Sequence, residues 1–182
     1  MIYTIYTDLH IGSPYLEKDI LPTTKEQILA ENSYDVGDTF EIKNCDPKDL
    51  NNLLIRQANF QQLFHGRYVT GNHSVDKGKG IKQIIIGDIL FIHGDYIFMG
   101  QEKAEKFRNE QGGQGSGIIQ KIGSKFHGKV SKKEAKQLAE YAKSFGVSTI
   151  VTGHVHVKSV FDKVIDGIRV INCPRGRTEI NI

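Results

Sequence analysis

Short apolar bursts punctuate this chain, and most of them stop at the same few residue types. Ile2-Tyr3-Thr4-Ile5-Tyr6-Thr7 alternates β-branched and aromatic residues and halts at Asp8, which predicts a strand. A brief strand over 33–36 is expected to end at Gly37-Asp38, and Arg67-Tyr68-Val69-Thr70 to deliver Gly71-Asn72-His73. Ile84-Ile85-Ile86 and Leu90-Phe91-Ile92 flank Gly87-Asp88, so a hairpin is predicted whose second strand ends at His93. A buried strand over 147–152 leads into Gly153-His154. Beyond it, 160–165 and 168–172 pair around Asp166-Gly167, and 178–182 adds an edge strand.

Helical spacing fills the intervals. Thr24-Lys25-Glu26-Gln27 resembles a capping box and opens a short helix to about residue 30. Asp46-Pro47 supplies an N-cap followed by proline at the first helical position. Leu50, Leu53, Leu54, Ala58 and Leu63 mark the buried stripe of that helix, with Gly66 as its stop. Ser131-Lys132-Lys133-Glu134 is a second capping box, its helix turning Ala135, Leu138, Ala139, Ala142 and Phe145 inward before Gly146 closes it. Between these helices the pattern weakens and is broken by Gly112, Gly113, Gly115 and Gly117, so residues 96–130 read as a lid or insertion. Strands alternating with helices predict an α/β sandwich with both sheet faces covered.

Composition narrows the class. At 182 residues the chain fits one domain able to bury a core without staples. A hydrophobic share of 38%, a charged share of 25% and a mean hydropathy of −0.35 exclude disordered and fibrous classes. Cys45 and Cys173 fit no C-x-x-C pattern and read as free thiols in a reducing compartment. There is no apolar run approaching the ~18 residues of a membrane span, and no basic-then-apolar leader at the start. The expected location is the cytoplasm. The net charge of +3 argues for no partner by itself, but residues 96–136 hold nine basic against four acidic side chains. With Ile118, Ile119, Ile122 and Phe126 at helical spacing, that segment reads as a basic lid with an apolar face or as a helix packed on the core.

The chemistry lies where the bursts end. Asp8 and His10, Asp38, Asn72, His93, and His154 and His156 are seven candidate metal ligands in five blocks, each beyond an expected strand. Ligands gather beyond strand ends in α/β folds, and carboxylates, imidazoles and one amide oxygen suit a pair of divalent cations. In this order the blocks resemble the calcineurin-like metallophosphoesterase family, in its compact bacterial and phage form. The family pattern Asp-x-His, Gly-Asp-x-x-Asp/Glu, Gly-Asn-His-Asp/Glu, a lone His and Gly-His-x-His stands here as Asp8-Leu9-His10, Gly37-Asp38-Thr39-Phe40-Glu41, Gly71-Asn72-His73, His93 and Gly153-His154-Val155-His156.

The resemblance implies a four-layer α-β-β-α sandwich forming one domain over 1–182. It implies a dinuclear phosphoesterase in which a metal-bridging hydroxide hydrolyses phosphate mono- or diesters. Asp8, His10 and His156 would hold one metal, Asn72, His93 and His154 the other, and Asp38 would bridge them. Manganese is the family's indication, and the donor set also admits iron, zinc, cobalt or nickel. His73 suits a catalytic role, stabilising phosphoryl charge or protonating the leaving oxygen; its other reading is a structural hydrogen bond. Ser74 replaces the usual acidic residue after it, so Glu41 or Asp76 would have to orient the imidazole. Asp95 is expected to orient a ligand histidine. Arg175 is a candidate phosphate clamp or a solvated arginine.

Three alternatives stand beside this reading: a nuclease, a lipid-linked nucleotide pyrophosphatase, and a non-catalytic scaffold on the same fold. The lipid A pathway pyrophosphatase has a comparable lid but carries arginine where His73 stands, which points Asn72-His73 toward general phosphoesterases. Few aromatics accompany the lid charges, so nucleic acid is not the favoured partner.

Overall fold

A computed structural model describes residues 1–11, 13, 32–42, 45–73, 80–109 and 128–182. The helix expected over 24–30, Ser74, Asp76, the glycines at 112–117 and the apolar residues at 118–126 lie outside the described residues. In chain order the strands are β1 (Ile2–Thr7), β2 (Ser33–Asp35), β3 (Gln83–Ile86), β4 (Ile89–Ile92), β5 (Thr149–Thr152), β6 (Phe161–Ile165), β7 (Ile168–Asn172) and β8 (Gly176–Asn181). The helices are α1 (Leu50–Leu63), α2 (Asp95–Met99), α3 (Gln101–Asn109) and α4 (Lys132–Ser144).

Two sheets form, one ordered β2-β1-β8 and the other β3-β4-β5-β7-β6. β1 runs parallel to β2, and β4, β5 and β7 are mutually parallel, while β3, β6 and β8 are antiparallel edges. The period of two in each strand sorts the layers. Tyr3 and Ile5 of β1, Phe91 of β4, Val151 of β5 and Ile171 of β7 meet between the sheets. The alternate residues Leu90, Ile92, Ile150 and Val170 turn to the outer face, where Leu138, Ala139 and Ala142 of α4 cover them. Tyr6 turns the other way and meets Leu53 and Phe60 of α1, with Phe64 just beyond it. The result is the four-layer α-β-β-α sandwich.

Most local expectations match and four do not. The capping box at Ser131 forms as expected, with Ser131 accepting from the Glu134 amide and Glu134 accepting from the Ser131 amide. Asp46 caps a short 3-10 turn, Pro47–Asp49, and the α-helix starts one turn later. On α1 the buried stripe is Leu53, Gln57 and Phe60, with Leu54 and Ala58 exposed. Aromatic packing sets that phase: Phe60 lies edge-on to Phe40 at 5.6 Å and Phe64 edge-on to Tyr6 at 5.6 Å. Phe145 is 41% exposed because it falls at the cap beyond α4, against Tyr141 at 5.0 Å. Residues 67–70 form no strand; a single bridge joins Tyr68 to Asp35.

Phe91 is wholly buried between the sheets and stacks on Tyr34 at 4.3 Å, with ring planes 3° apart. Phe91→Ala is expected to cost about 3–5 kcal/mol in chemical denaturation. A loss well under 1 kcal/mol would mean that the layers do not meet at this residue.

Candidate metal centre

The parallel strands bring their C-terminal ends to one edge of the sandwich, and the chain bends sharply as it leaves them. Six non-glycine residues among those described have positive φ, and four are candidate ligands: Asp8 (52°), His10 (50°), Asp38 (53°) and His154 (65°). Left-handed backbone is costly for L-residues and clusters at functional sites. Glycines let these loops touch. A Cβ on Gly71 would sit 2.0 Å from Asp38 Oδ1, and one on Gly153 would sit 1.9 Å from Thr7 Oγ1 and 2.5 Å from Asp8 Oδ2.

The donors fall into three adjoining groups among the described residues, one of them His10, Glu41 and His73. Asp8, His10 and His156 offer atoms within 4.8 Å of one another, as do Asp38, His93 and His154. In the first group His156 Nε2 is 3.3 Å from Asp8 Oδ1 and 3.4 Å from His10 Nε2. In the second, His93 Nε2 is 2.9 Å from Asp38 Oδ2 and 3.2 Å from His154 Nδ1. Asn72 follows Gly71, packed on Asp38, and precedes His73, whose amide donates to Asp38 Oδ1 at 2.8 Å.

Hydrogen bonds aim these donors. His10 Nδ1–H donates to Glu41 Oε2 at 2.9 Å and His93 Nδ1–H to the Val36 carbonyl at 2.9 Å. Each bond fixes the tautomer and leaves Nε2 facing the cluster, the arrangement that metal-binding imidazoles adopt. His93 thus takes its orientation from a backbone carbonyl just beyond β2. Asp8 Oδ2 accepts from Thr7 Oγ1 at 2.7 Å and from the His154 amide at 3.0 Å. Asp8 Oδ1 and Asn72 Oδ1 are buried and have no hydrogen-bond partner among the described residues. Buried oxygens are rarely left so, and imidazole nitrogens rarely face each other at 3.2–3.4 Å without something shared between them. The donor set therefore fits two divalent cations.

Charge within the cluster is tightly balanced. Burial works against ionising Asp8 and Asp38, yet the surrounding histidines outweigh it and hold both below the ordinary carboxylate range. Burial opposes charge on His93 too, but Asp38 beside it prevails and its pKa rises to about 10. Burial and the neighbouring His93 push His154 down to about 4. Glu41 falls to about 2 despite burial, because His73 and His10 share it. His73 rises to about 9 against its burial through Asp38 and Glu41, the latter 2.6 Å from Nδ1.

Glu41 thus meets the imidazole beside Ser74, a part for which the motif offered two candidates. Asp95 is wholly buried at the start of α2, and its charge adds to the rise at His93. Arg175 lies next to the cluster with its guanidinium on the backbone of residues 8 and 9. Two contributors were missed in the sequence. Thr7 completes the shell of Asp8, and Asp35, whose pKa burial raises to about 7, accepts from Thr39 Oγ1 at 2.7 Å and from the Gly37 amide at 3.1 Å. A polar residue at the inward end of an apolar strand was the available signal.

No family model and no curated protein matches the chain. Solved structures do. A predicted phosphoesterase from Streptococcus pneumoniae aligns over 100% of this chain and 84% of its own, at 16% identity and a TM-score of 0.46. Vacuolar Protein Sorting 29 of Cryptosporidium parvum covers 96% and 74% at 15% identity and a TM-score of 0.46. Its counterpart from Entamoeba histolytica, solved in complex with zinc, covers 96% and 74% at 14% identity and a TM-score of 0.47. These are similarities in the course of the chain; the chemistry of the centre rests on the distances above. No described helix is long and apolar enough to cross a membrane.

Gly71→Ala would drive a methyl group into Asp38, whereas Gly128→Ala meets nothing within 4 Å. Equilibrium dialysis against Mn²⁺ is expected to show cation binding lost in the first variant and kept in the second. Equal binding in both would mean that the close approach of the 71–73 loop to Asp38 is dispensable.

Proposed function

We propose that this chain is a metallophosphoesterase hydrolysing phosphate mono- or diesters. One observation carries the reading: two donor groups, each with two buried members, adjoin at the strand ends, with Asp8 Oδ1 and Asn72 Oδ1 buried and without a hydrogen-bond partner among the described residues. Asp8, His10 and His156 would hold one divalent cation and Asn72, His93 and His154 a second, with Asp38 between them. Such a pair, when bound, lowers the pKa of water to supply a nucleophile near neutral pH and neutralises charge on the phosphoryl oxygens. Manganese, iron, zinc, cobalt and nickel all suit the mixed nitrogen and oxygen donors.

The protein's own groups do the rest. Glu41 accepts from His73 Nδ1–H and so fixes the ring, which places the second proton of the imidazolium on Nε2, 4.0 Å from Asp38 Oδ2. A pKa raised to about 9 keeps that proton in place at neutral pH. His73 can therefore hydrogen-bond a phosphoryl oxygen and pass a proton to the departing alkoxide. Its side chain is 21% exposed, against 0% for His93, so a substrate can reach it.

Asp38→Ala and His154→Ala are expected to abolish hydrolysis of an aryl phosphate while the fold persists by circular dichroism. Substantial turnover remaining in both variants would refute the assignment. The pH dependence has a definite sign. The donor form of His73 is present below its raised pKa and is lost as pH rises through about 9. The alkaline limb of the rate profile should follow that loss, and Glu41→Gln, by removing a carboxylate that supports the charge, should move it to lower pH. An unmoved limb would remove Glu41 and His73 from the proton transfer.

A further inference from the structure

Arg175 stands where the β1–β8 pairing gives out. Those strands run antiparallel, and their last rung toward the candidate centre joins Thr7 to Gly176. One step further, β1 becomes Asp8 and β8 becomes Arg175. Asp8 turns into left-handed backbone at φ 52° and His10 does so again at 50°, so the strand ladder cannot continue. The amides of this loop face one way: Asp8 N–H donates to the Gly37 carbonyl at 2.9 Å, His10 N–H to Asp38 at 3.0 Å and Ile11 N–H to Thr39 at 2.9 Å.

The carbonyls of Asp8 and Leu9 point elsewhere, in residues only 1% exposed. Arg175 meets both. Its Nε–H donates to the Asp8 carbonyl at 2.9 Å and its Nη2–H to the Leu9 carbonyl at 2.8 Å. Nε and Nη2 form one edge of the planar guanidinium, two donors at fixed separation matched to two successive carbonyls. Left without a donor, buried carbonyls would favour a loop that turned them to water, and that loop would carry Asp8 and His10 with it.

We propose that Arg175 is a positioning residue: its guanidinium replaces the missing rung of the sheet and holds the Asp8-Leu9-His10 backbone in the conformation that aims Asp8 and His10 at one cation. The proposal rests on the two-cation reading above. It concerns one subsite only. Asp38 and His93 take their positions from the Gly71 approach and the Val36 carbonyl, away from the two carbonyls that Arg175 holds, and His154 meets Asp8 through its backbone amide.

The test is calorimetric titration of the metal-stripped full chain with Mn²⁺, in the wild type and in Arg175→Ala and Arg175→Lys, with thermal melting of each stripped protein alongside. Wild type is expected to take up two ions. Arg175→Ala should weaken one of the two by roughly ten- to a hundred-fold, the usual effect of losing a group that orients a ligand, and leave the other within a factor of about two. Lysine keeps the charge but not the planar donor pair, so Arg175→Lys should fall between them. If the alanine variant does not fold, the lysine variant decides by the same criterion. Two unchanged ions in the variants, or equal weakening of both, overturns the proposal. A raised KM for an aryl phosphate with cation binding unchanged also overturns it, in favour of direct phosphate contact. A wild type that binds no cation sinks the proposed function and this inference with it, a result distinct from the others.

Discussion

Between Asp38 Oδ2 and His93 Nε2 the separation is 2.9 Å, and that span joins the ends of two different sheets. Asp38 follows β2 and His93 follows β4, and both side chains are buried. Burying a lone carboxylate costs several kcal/mol after relaxation, so an acid can stand here only if positive charge stands beside it. The same holds for Asp8, which lies under the Gly153 backbone and accepts from the His154 amide. The sandwich can close at this edge only with its charges paired across the layers. Histidines or cations can supply the pairing, and each carboxylate needs it.

That requirement shapes the loops around it. Four candidate ligands adopt left-handed backbone, a conformation that aspartate and histidine tolerate better than β-branched residues do. Their cost is met by contacts to other segments: the His154 amide on Asp8, Glu41 on His10 and the His73 amide on Asp38. Rigidity comes from the apolar layers below, where Tyr34 stacks on Phe91 and Val151 and Ile171 fill the space between the sheets. Converging donors have to be held to within fractions of an ångström to act together, and a stiff floor under strained loops provides that.

Glu41 shows how one residue can serve two roles. Its two oxygens engage different histidines, His10 at 2.9 Å and His73 at 2.6 Å, and the two rings stand edge-on at 4.7 Å. His10 turns Nε2 toward His156, whereas His73 Nε2 lies 4.0 Å from Asp38 Oδ2. The protonation of one ring and the ligand geometry of the other therefore pass through a single carboxylate.

Much of the layout was legible in the sequence because it follows from local physics. Unbroken apolar runs such as Ile89–Ile92 mark strands buried on both faces, and a polar block after such a run must lie at a sheet edge. The capping box at Ser131 and the Asp166-Gly167 turn are equally local. The phase of α1 was not, since Phe60 and Phe64 choose their face by meeting Phe40 and Tyr6 from distant parts of the chain. Nor could the sequence show that Arg175 reaches back 166 residues to the Leu9 carbonyl. Backbone hydrogen bonds and side-chain alternation are written residue by residue, so the elements and their polar ends can be read in order. Which polar ends touch depends on how two sheets pack face to face, and only the folded layers decide that.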